Sequence, residues 1–362
     1  MVIERNSILD VLTKVVGITD RHNIMPILKN VKLSFGETST ITATDLEVSA
    51  IVSIPKADEE LTLLLNGRLL LDIMKGLNPG NVEIVKDNGV ILIKQDKTSY
   101  TLAMESIEDF PSIEGEIKDI AADITIDTKT LIGAIKKVEY SVSQDETRYG
   151  MCGVRLTSRG GKLAAVSTDG YRLSLNTKDI VVDMPGVTIP KKALGDIYNI
   201  VGMGENVRVI VGRTSTKFIT SASTLICRVI DMVYPDFEAV INNQSGGRND
   251  AVVDKTEFLR AVRKVLVMAG NDRLIKTSFS PGLLKLESNG DAGKASESIP
   301  LDYNGGDTTL AINGRYLSDA LGCAVDEKIK LKVPMPGDFG SLFFIEPEAS
   351  ALGILMPVRT AQ

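Results

Sequence analysis

The chain has 362 residues, 43% hydrophobic and 24% charged, with 41 Lys+Arg against 47 Asp+Glu, and its net charge of −6 excludes a uniformly basic nucleic-acid coat. One histidine, His22, and the scattered Cys152, Cys227 and Cys323 offer no metal-ligand spacing and no disulfide framework. The start, Met-Val-Ile-Glu-Arg-Asn, lacks a signal-peptide layout, and no apolar run approaches the ~18 residues of a membrane span, so a soluble cytoplasmic protein is expected.

The first predicted element is a helix over residues 8–15, apolar at i, i+1, i+3, i+4 and i+7 with Lys14 at i+6. A second helix starts at Asn66-Gly67-Arg68; on a helical wheel Leu70, Ile73, Met74 and Leu77 form one stripe, opposite Arg68, Asp72 and Lys75. Val82–Val85, the turn Asp87-Asn88-Gly89 and Val90–Ile93 then read as a β-hairpin. The first helix pattern returns at 131–138 with Lys137 and at 258–265 with Lys264. The second returns at Pro190-Lys191-Lys192, four residues before Asp196, and at Asn313-Gly314-Arg315, four residues before Asp319. Lys14, Lys137 and Lys264 lie 123 and 127 residues apart, and Arg68, Lys192 and Arg315 lie 124 and 123 apart. Two independent markers with one period make a threefold repeat of about 120 residues.

Alternating strands at 207–211 with 216–219 and at 329–333 repeat the hairpin signal in the later copies. Each copy is then an α+β unit with two helices and about eight short strands. Boundaries fall in 114–123 and in the polar, glycine-containing stretch 242–249, giving domains 1–121, 122–248 and 249–362.

Positive charge is concentrated on the helices. The windows 7–17, 67–77, 128–140, 190–201, 255–269 and 314–324 hold 13 Lys+Arg and 6 Asp+Glu, against 28 and 41 in the remainder. Lysine and arginine are good helix formers, so a solvated face explains some of this. Recurrence in register points further, to helices that follow phosphates without reading bases. Six such units closed into a ring need a head-to-tail dimer of this chain, which also leaves no free sheet edge.

Several segments carry a resemblance. Met25-Pro26-Ile27-Leu28-Lys29-Asn30, Thr44-Asp45-Leu46-Glu47, Asp109-Phe110-Pro111, Asp145-Glu146-Thr147-Arg148-Tyr149, Ser167-Thr168-Asp169-Gly170-Tyr171-Arg172-Leu173 and Met356-Pro357-Val358-Arg359 resemble, in order and over the whole chain, the bacterial DNA polymerase III beta subunit, the sliding-clamp family. The resemblance implies a ring-shaped homodimer around duplex DNA, with the clamp fold and no catalysis or cofactor of its own. It implies loading by an ATP-driven clamp loader. It also implies a cleft in which the replicative DNA polymerase alpha subunit, other DNA polymerases, the loader, ligase and mismatch-repair proteins insert short hydrophobic motifs in turn.

Carried onto this sequence, that partner-peptide cleft comprises Met151, Thr168, Gly170, Tyr171, Arg172, Leu173, Pro235, Val240, Ile354, Met356, Pro357, Val358 and Arg359. An apolar, methionine-containing pocket suits several partners, with Arg172 and Arg359 orienting peptide polar groups at its rim. Ala239 stands where the family often has arginine, and Gly150 where some members carry a second tyrosine. The DNA-binding set implied is Arg68, Lys75, Lys191 and Lys192 on the helices, with Arg21, His22 and Tyr149 at the ring face. The dimer interface implied joins Tyr100 and Leu102, on an edge strand, to Val267 and Met268 of the partner.

Catalysis has little to stand on. Serine-histidine chemistry would have to use His22, there is no Gly-x-Ser-x-Gly elbow, and Gly202-Met203-Gly204 follows a helix instead of opening one after a strand. Glu59-Glu60 sits in a polar connector. Two further readings keep the fold: a specialised second clamp copy for repair or inhibitor tolerance, hinted at by Ala239, and a monomeric scaffold that binds proteins alone.

Overall fold

The computed structural model describes residues 1–19, 25–87, 89–113, 117, 119–242 and 247–359. It contains seven α-helices among the described residues: α1 Arg5–Thr19, α2 Gly67–Gly76, α3 Thr128–Val138, α4 Lys191–Asn199, α5 Phe237–Asn242, α6 Lys255–Leu266 and α7 Gly314–Cys323. The chain divides into two compact units, residues 1–132 with 192–229, and residues 133–191 with 230–362.

The first unit is built on an eight-stranded antiparallel sheet. Strands Leu61–Asn66, Asn30–Phe35, Ser39–Thr44 and Val48–Ile54 come from the first sequence copy. Ser223–Arg228, Ser215–Ile219, Asn206–Val211 and Ala122–Asp127 come from the second. The copies join where Ile51 faces Thr224. A four-stranded sheet, Val2–Glu4, Asn81–Asp87, Val90–Gln95 and Thr98–Ala103, completes the unit, and the predicted hairpin is in it, with Asp87 opposite Val90.

The second unit repeats the plan. Val187–Pro190, Gly153–Arg159, Lys162–Thr168 and Arg172–Val181 of copy two continue into Ala351–Leu355, Leu342–Glu346, Lys328–Pro334, Arg248–Asp254 and Asp302–Tyr303 of copy three. Its four-stranded sheet has the order Gly293–Pro300, Leu283–Gly290, Leu274–Ser280 and Thr308–Asn313. The compact units therefore follow the sheets: each half of the middle copy extends a neighbour's sheet.

The recurring Asn-Gly-Arg marker has a local cause. Asn66 Oδ1 accepts a hydrogen bond from the Leu69 amide, and Asn313 Oδ1 accepts from Arg315 and Tyr316, so each asparagine caps a helix. The following glycine lies flat on the sheet beneath. A Cβ on Gly67 would stand 3.0 Å from Val31 Cγ1, and one on Gly314 would stand 2.2 Å from Ile275 Cδ1. Arg5 fixes the far end of α2, its Nε donating to the Met74 carbonyl at 2.7 Å.

The longer helices bury an apolar stripe. Ile8, Val11, Leu12, Val15 and Val16 of α1 are buried against α2 and the strands 39–44 and 48–54. Phe258, Ala261, Val262 and Val265 of α6 join Leu317 and Leu321 of α7 over Ile275, Phe279, Leu284 and Leu286. Fully burying one such side chain stabilises by about 1.5–3 kcal/mol.

Two sequence expectations change here. The marker lysines do not share one environment. Lys137 is in a buried ion pair, its Nζ 2.7 Å from Glu346 Oε2 and donating also to the Cys323 carbonyl at 2.6 Å, while Lys264 pairs with Glu297 at 3.1 Å. Helix α5 lies immediately before the stretch read as a linker. The Asp236 side chain accepts from the Ala239 amide at 3.0 Å and caps this helix, which starts at Phe237. The cysteines remain free thiols. Among the described residues, no helix is long and apolar enough to cross a membrane, and no group of His, Cys, Asp and Glu could hold a metal ion.

Candidate partner cleft, basic helix face and strand edges

The turn between strands Lys162–Thr168 and Arg172–Val181 is held by its own side chains. Thr168 Oγ1 donates to the Arg172 carbonyl at 2.7 Å and accepts from the Gly170 amide at 3.1 Å. Asp169 Oδ1 accepts from the amides of Tyr171 and Arg172 at 2.9 and 3.0 Å. Gly170 has φ +88°, and a Cβ there would lie 2.8 Å from Arg148 Nη1. That arginine donates to the Asp169 carbonyl at 3.1 Å and stacks on Tyr171, 5.4 Å from the ring centroid. The segment carrying Tyr149 and Met151 is thereby tied to the turn carrying Tyr171.

Arg172 is enclosed, at 8% exposure, and does not stand at an open rim. Its Nε donates to Asp169 Oδ2 and its Nη1 to Asp319 Oδ2 on α7, both at 2.9 Å. Its guanidinium lies 4.1 Å from the Tyr316 ring centroid and 5.7 Å from that of Tyr140. Burial raises the Tyr316 phenol, with the nearby Asp169 charge adding to it. Burial also pushes Tyr140 up to about 12. With two carboxylates and two rings around it, Arg172 joins the turn to α7.

The apolar residues separate into floor and surface. Leu173 faces Ile354 across the sheet, and both are buried in one cluster with Val166, Leu175, Tyr234 and Phe343, against which Phe237 and Ile241 of α5 pack. Thr168 is buried too. Tyr171 (55%), Met356 (51%), Val240 and Val358 are exposed. Pro235, Gly170 and Arg359 are also exposed, and Met151 and Pro357 are half-buried. The Met356 amide donates to the Tyr171 carbonyl at 3.0 Å, which places these two exposed side chains on adjoining strand ends. Arg359 stacks on Phe339 at 5.4 Å. Ala239 is exposed on α5, and the neighbouring Glu238 anchors that helix through a two-point pair with Arg159 at 2.5 and 3.1 Å.

Of the basic set, Arg68 is exposed on α2 with Asp72 one turn away at 3.9 Å, and Lys75 is exposed in the last turn of that helix. Lys191 and Lys192 open α4, and Lys192 Nζ is paired with Glu47 of the Thr44–Glu47 turn. Tyr149 is exposed. Arg21 and His22 lie outside the described residues.

Two sheet edges carry the remaining predictions. Strand Thr98–Ala103, with Tyr100 and Leu102 half-buried, pairs on one side with Val90–Gln95. Leu102 lines a groove of about 340 Å³ with Pro26, Ile27, Leu65 and Leu69. In the second unit, strand Gly293–Pro300 pairs on one side with Leu283–Gly290. Val267, just past α6, is 79% exposed, and Met268 is half-buried.

Sequence reading missed Leu69, Asp319 and Tyr316. Leu69 had a signal, since it is an exposed leucine (49%) beside Arg68 on the polar side of α2. The other two contribute through the pairing of distant segments, which no local pattern encodes.

Comparison with known proteins follows the repeat. Models of the DNA polymerase III beta subunit match residues 1–114 with its N-terminal domain, 125–236 with its central domain and 245–338 with its C-terminal domain. A beta sliding clamp of Caulobacter vibrioides is 29% identical over 375 residues, covering 99% of each chain. The crystal structure of the DNA polymerase III subunit beta from Pseudomonas aeruginosa is 27% identical, covers 99% of this chain and 100% of its own, and superposes with a TM-score of 0.92. A Pseudomonas aeruginosa sliding clamp bound to griselimycin is 26% identical with a TM-score of 0.92, covering 99% of both chains. On whole-length likeness in sequence and in fold, the chain belongs to the DNA polymerase III beta subunit family.

Proposed function

We propose that this chain is a non-catalytic processivity clamp that closes head to tail with a second copy around duplex DNA and tethers the replicative DNA polymerase to it. The observation that carries the reading is the match of all three sequence copies, in order, to the three domains of one clamp family. In this reading 1–121, 122–248 and 249–362 are the three clamp domains. Arg68, Lys75, Lys191 and Lys192 meet phosphates, an interaction independent of base sequence. The edge strands 98–103 and 293–300 pair between copies, with Leu102 and Tyr100 against Val267 and Met268 of the second copy. Such pairing satisfies two rows of backbone groups that an isolated subunit leaves to water.

The exposed Tyr171, Val240, Met356 and Val358, over a floor of Leu173 and Ile354, form the partner cleft. It serves the polymerase alpha subunit, the clamp loader, other DNA polymerases, ligase and mismatch-repair proteins in turn. That a related clamp has been solved with griselimycin bound supports a ligand-accepting surface in the family. Deleting residues 356–362 tests the assignment. Binding of the polymerase's clamp-directed peptide is expected to be lost while the dimer and its circular dichroism stay unchanged; full binding after deletion overturns it.

A further inference from the structure

An open groove of about 1150 Å³ crosses the outer face of the four-stranded sheet in the second unit. Lys276, Glu287 and Thr309 lie along it, and Phe339, Val358 and Arg359 close one end. The Val358 amide donates to the Ala311 carbonyl at 2.8 Å, so the segment that ends the partner cleft is also the wall of this groove. The two surfaces are continuous.

Size and charge narrow the occupant. Four strands spaced about 4.8 Å apart give a track of roughly 15 Å, the span of about five extended residues. The cations Lys276, Lys294 and Arg359 line it. Its two carboxylates are already engaged within this chain. Glu287 is 2.7 Å from Lys285, which holds it below the usual carboxylate range, and Asp272 accepts from the Leu274 amide at 3.2 Å. An exposed aromatic ring at the entrance, Phe339, completes a path suited to an extended peptide with negative charge.

We propose that this groove binds an acidic flank of the same partner segment whose apolar residues fill the cleft. The inference rests on the cleft reading above. It makes the sheet face of the third copy a second selectivity filter: partners sharing an apolar motif are ranked by the charge of the residues beside it.

The test uses the full chain and three labelled peptides in fluorescence anisotropy at low and raised salt. They are the short apolar clamp-binding segment of the cognate replicative polymerase, and that segment lengthened by Glu-Ser-Glu-Ser-Glu-Ser at the N-terminus or at the C-terminus. One lengthened peptide is expected to bind about fivefold more tightly than the core at low salt. The gain should vanish at raised salt and in the Lys276→Glu/Thr309→Glu variant, whose changes lie on exposed positions of strands away from the 293–300 edge. The core peptide should bind that variant as it binds the parent chain. No gain with either extension, or a gain that survives the double substitution, overturns the proposal and leaves the cleft reading intact. Failure of the core peptide itself overturns both. A change of molar mass in the variant without loss of the gain assigns the face to contact between copies and also overturns it.

Discussion

Arg172 and Asp319 are 147 residues apart in sequence, and their side chains meet at 2.9 Å. One lies at the start of a strand in copy two and the other on α7 of copy three, so the pair joins the two copies beside the proposed partner cleft. Arg172→Ala leaves Asp169 and Asp319 without their cation and opens a cavity beside Tyr316. A loss of about 2–3 kcal/mol is expected in urea unfolding followed by circular dichroism, the chain having no tryptophan. A double-mutant cycle with Asp319→Asn should return a coupling of about 1 kcal/mol or more, and a zero coupling contradicts the joint.

Glu47 restrains a cation assigned to DNA. Its carboxylate is paired with Lys192 at the start of α4. If that lysine reaches phosphate, Glu47→Gln should strengthen duplex binding at low salt, while Lys192→Gln weakens it and lowers the salt slope by about one unit. Identical salt slopes for both variants and the parent chain remove Lys192 from the DNA-facing set.

The edge groove makes a claim about association. Leu69 and Leu102 line it in one copy, and Val267 is exposed beside the opposite edge strand. Burying each aliphatic chain contributes about 1.5–3 kcal/mol. Leu69→Glu and Val267→Glu are each expected to shift the chain from dimer to monomer in light scattering. Raised salt alone should not, because the cluster is apolar. A dimer that survives both substitutions refutes this edge as the interface.

Much of the fold was legible because it repeats. Apolar spacing located the first and second helices of all three copies, and the Asn-Gly cap with its close glycine contact explains why that marker recurs at positions 66 and 313. The joining of sheets across copies was not legible. It depends on which edge meets which, as at Ile51 and Thr224, and strand patterns are alike on every edge. The site divided along the same line. Tyr171 and Met356, read from their motifs, are exposed on adjoining strand ends, whereas Arg172 is buried by distant partners and Lys137, equally regular in register, ends in an ion pair with Glu346. Helix α5 had its signal in Pro235-Asp236, but six residues are too few for a periodic pattern.

Alkaline pH reports on the packing beneath Arg172. Burial pushes the Tyr140 phenol up to about 12, while an unfolded tyrosine titrates near 10. Between these values the unfolded chain releases a proton that the folded chain keeps. This contribution is therefore fully present below about pH 10 and is lost as pH rises toward 12. Tyr140→Phe should make stability fall less steeply across that window, with the residual slope shared by the other groups that burial raises, Tyr234, Tyr316 and the Cys227 thiol. An unchanged slope places Tyr140 in water.

Encirclement is the central claim, and topology tests it more directly than affinity does. The chain is loaded by its cognate clamp loader onto nicked circular duplex and onto the same duplex linearised with free ends, then passed over a sizing column at raised salt. Salt weakens phosphate contacts but cannot undo a topological link. Retention on the circle with loss from the linear form is the predicted result. Equal loss from both, with a loader shown to be active, would contradict a ring around DNA.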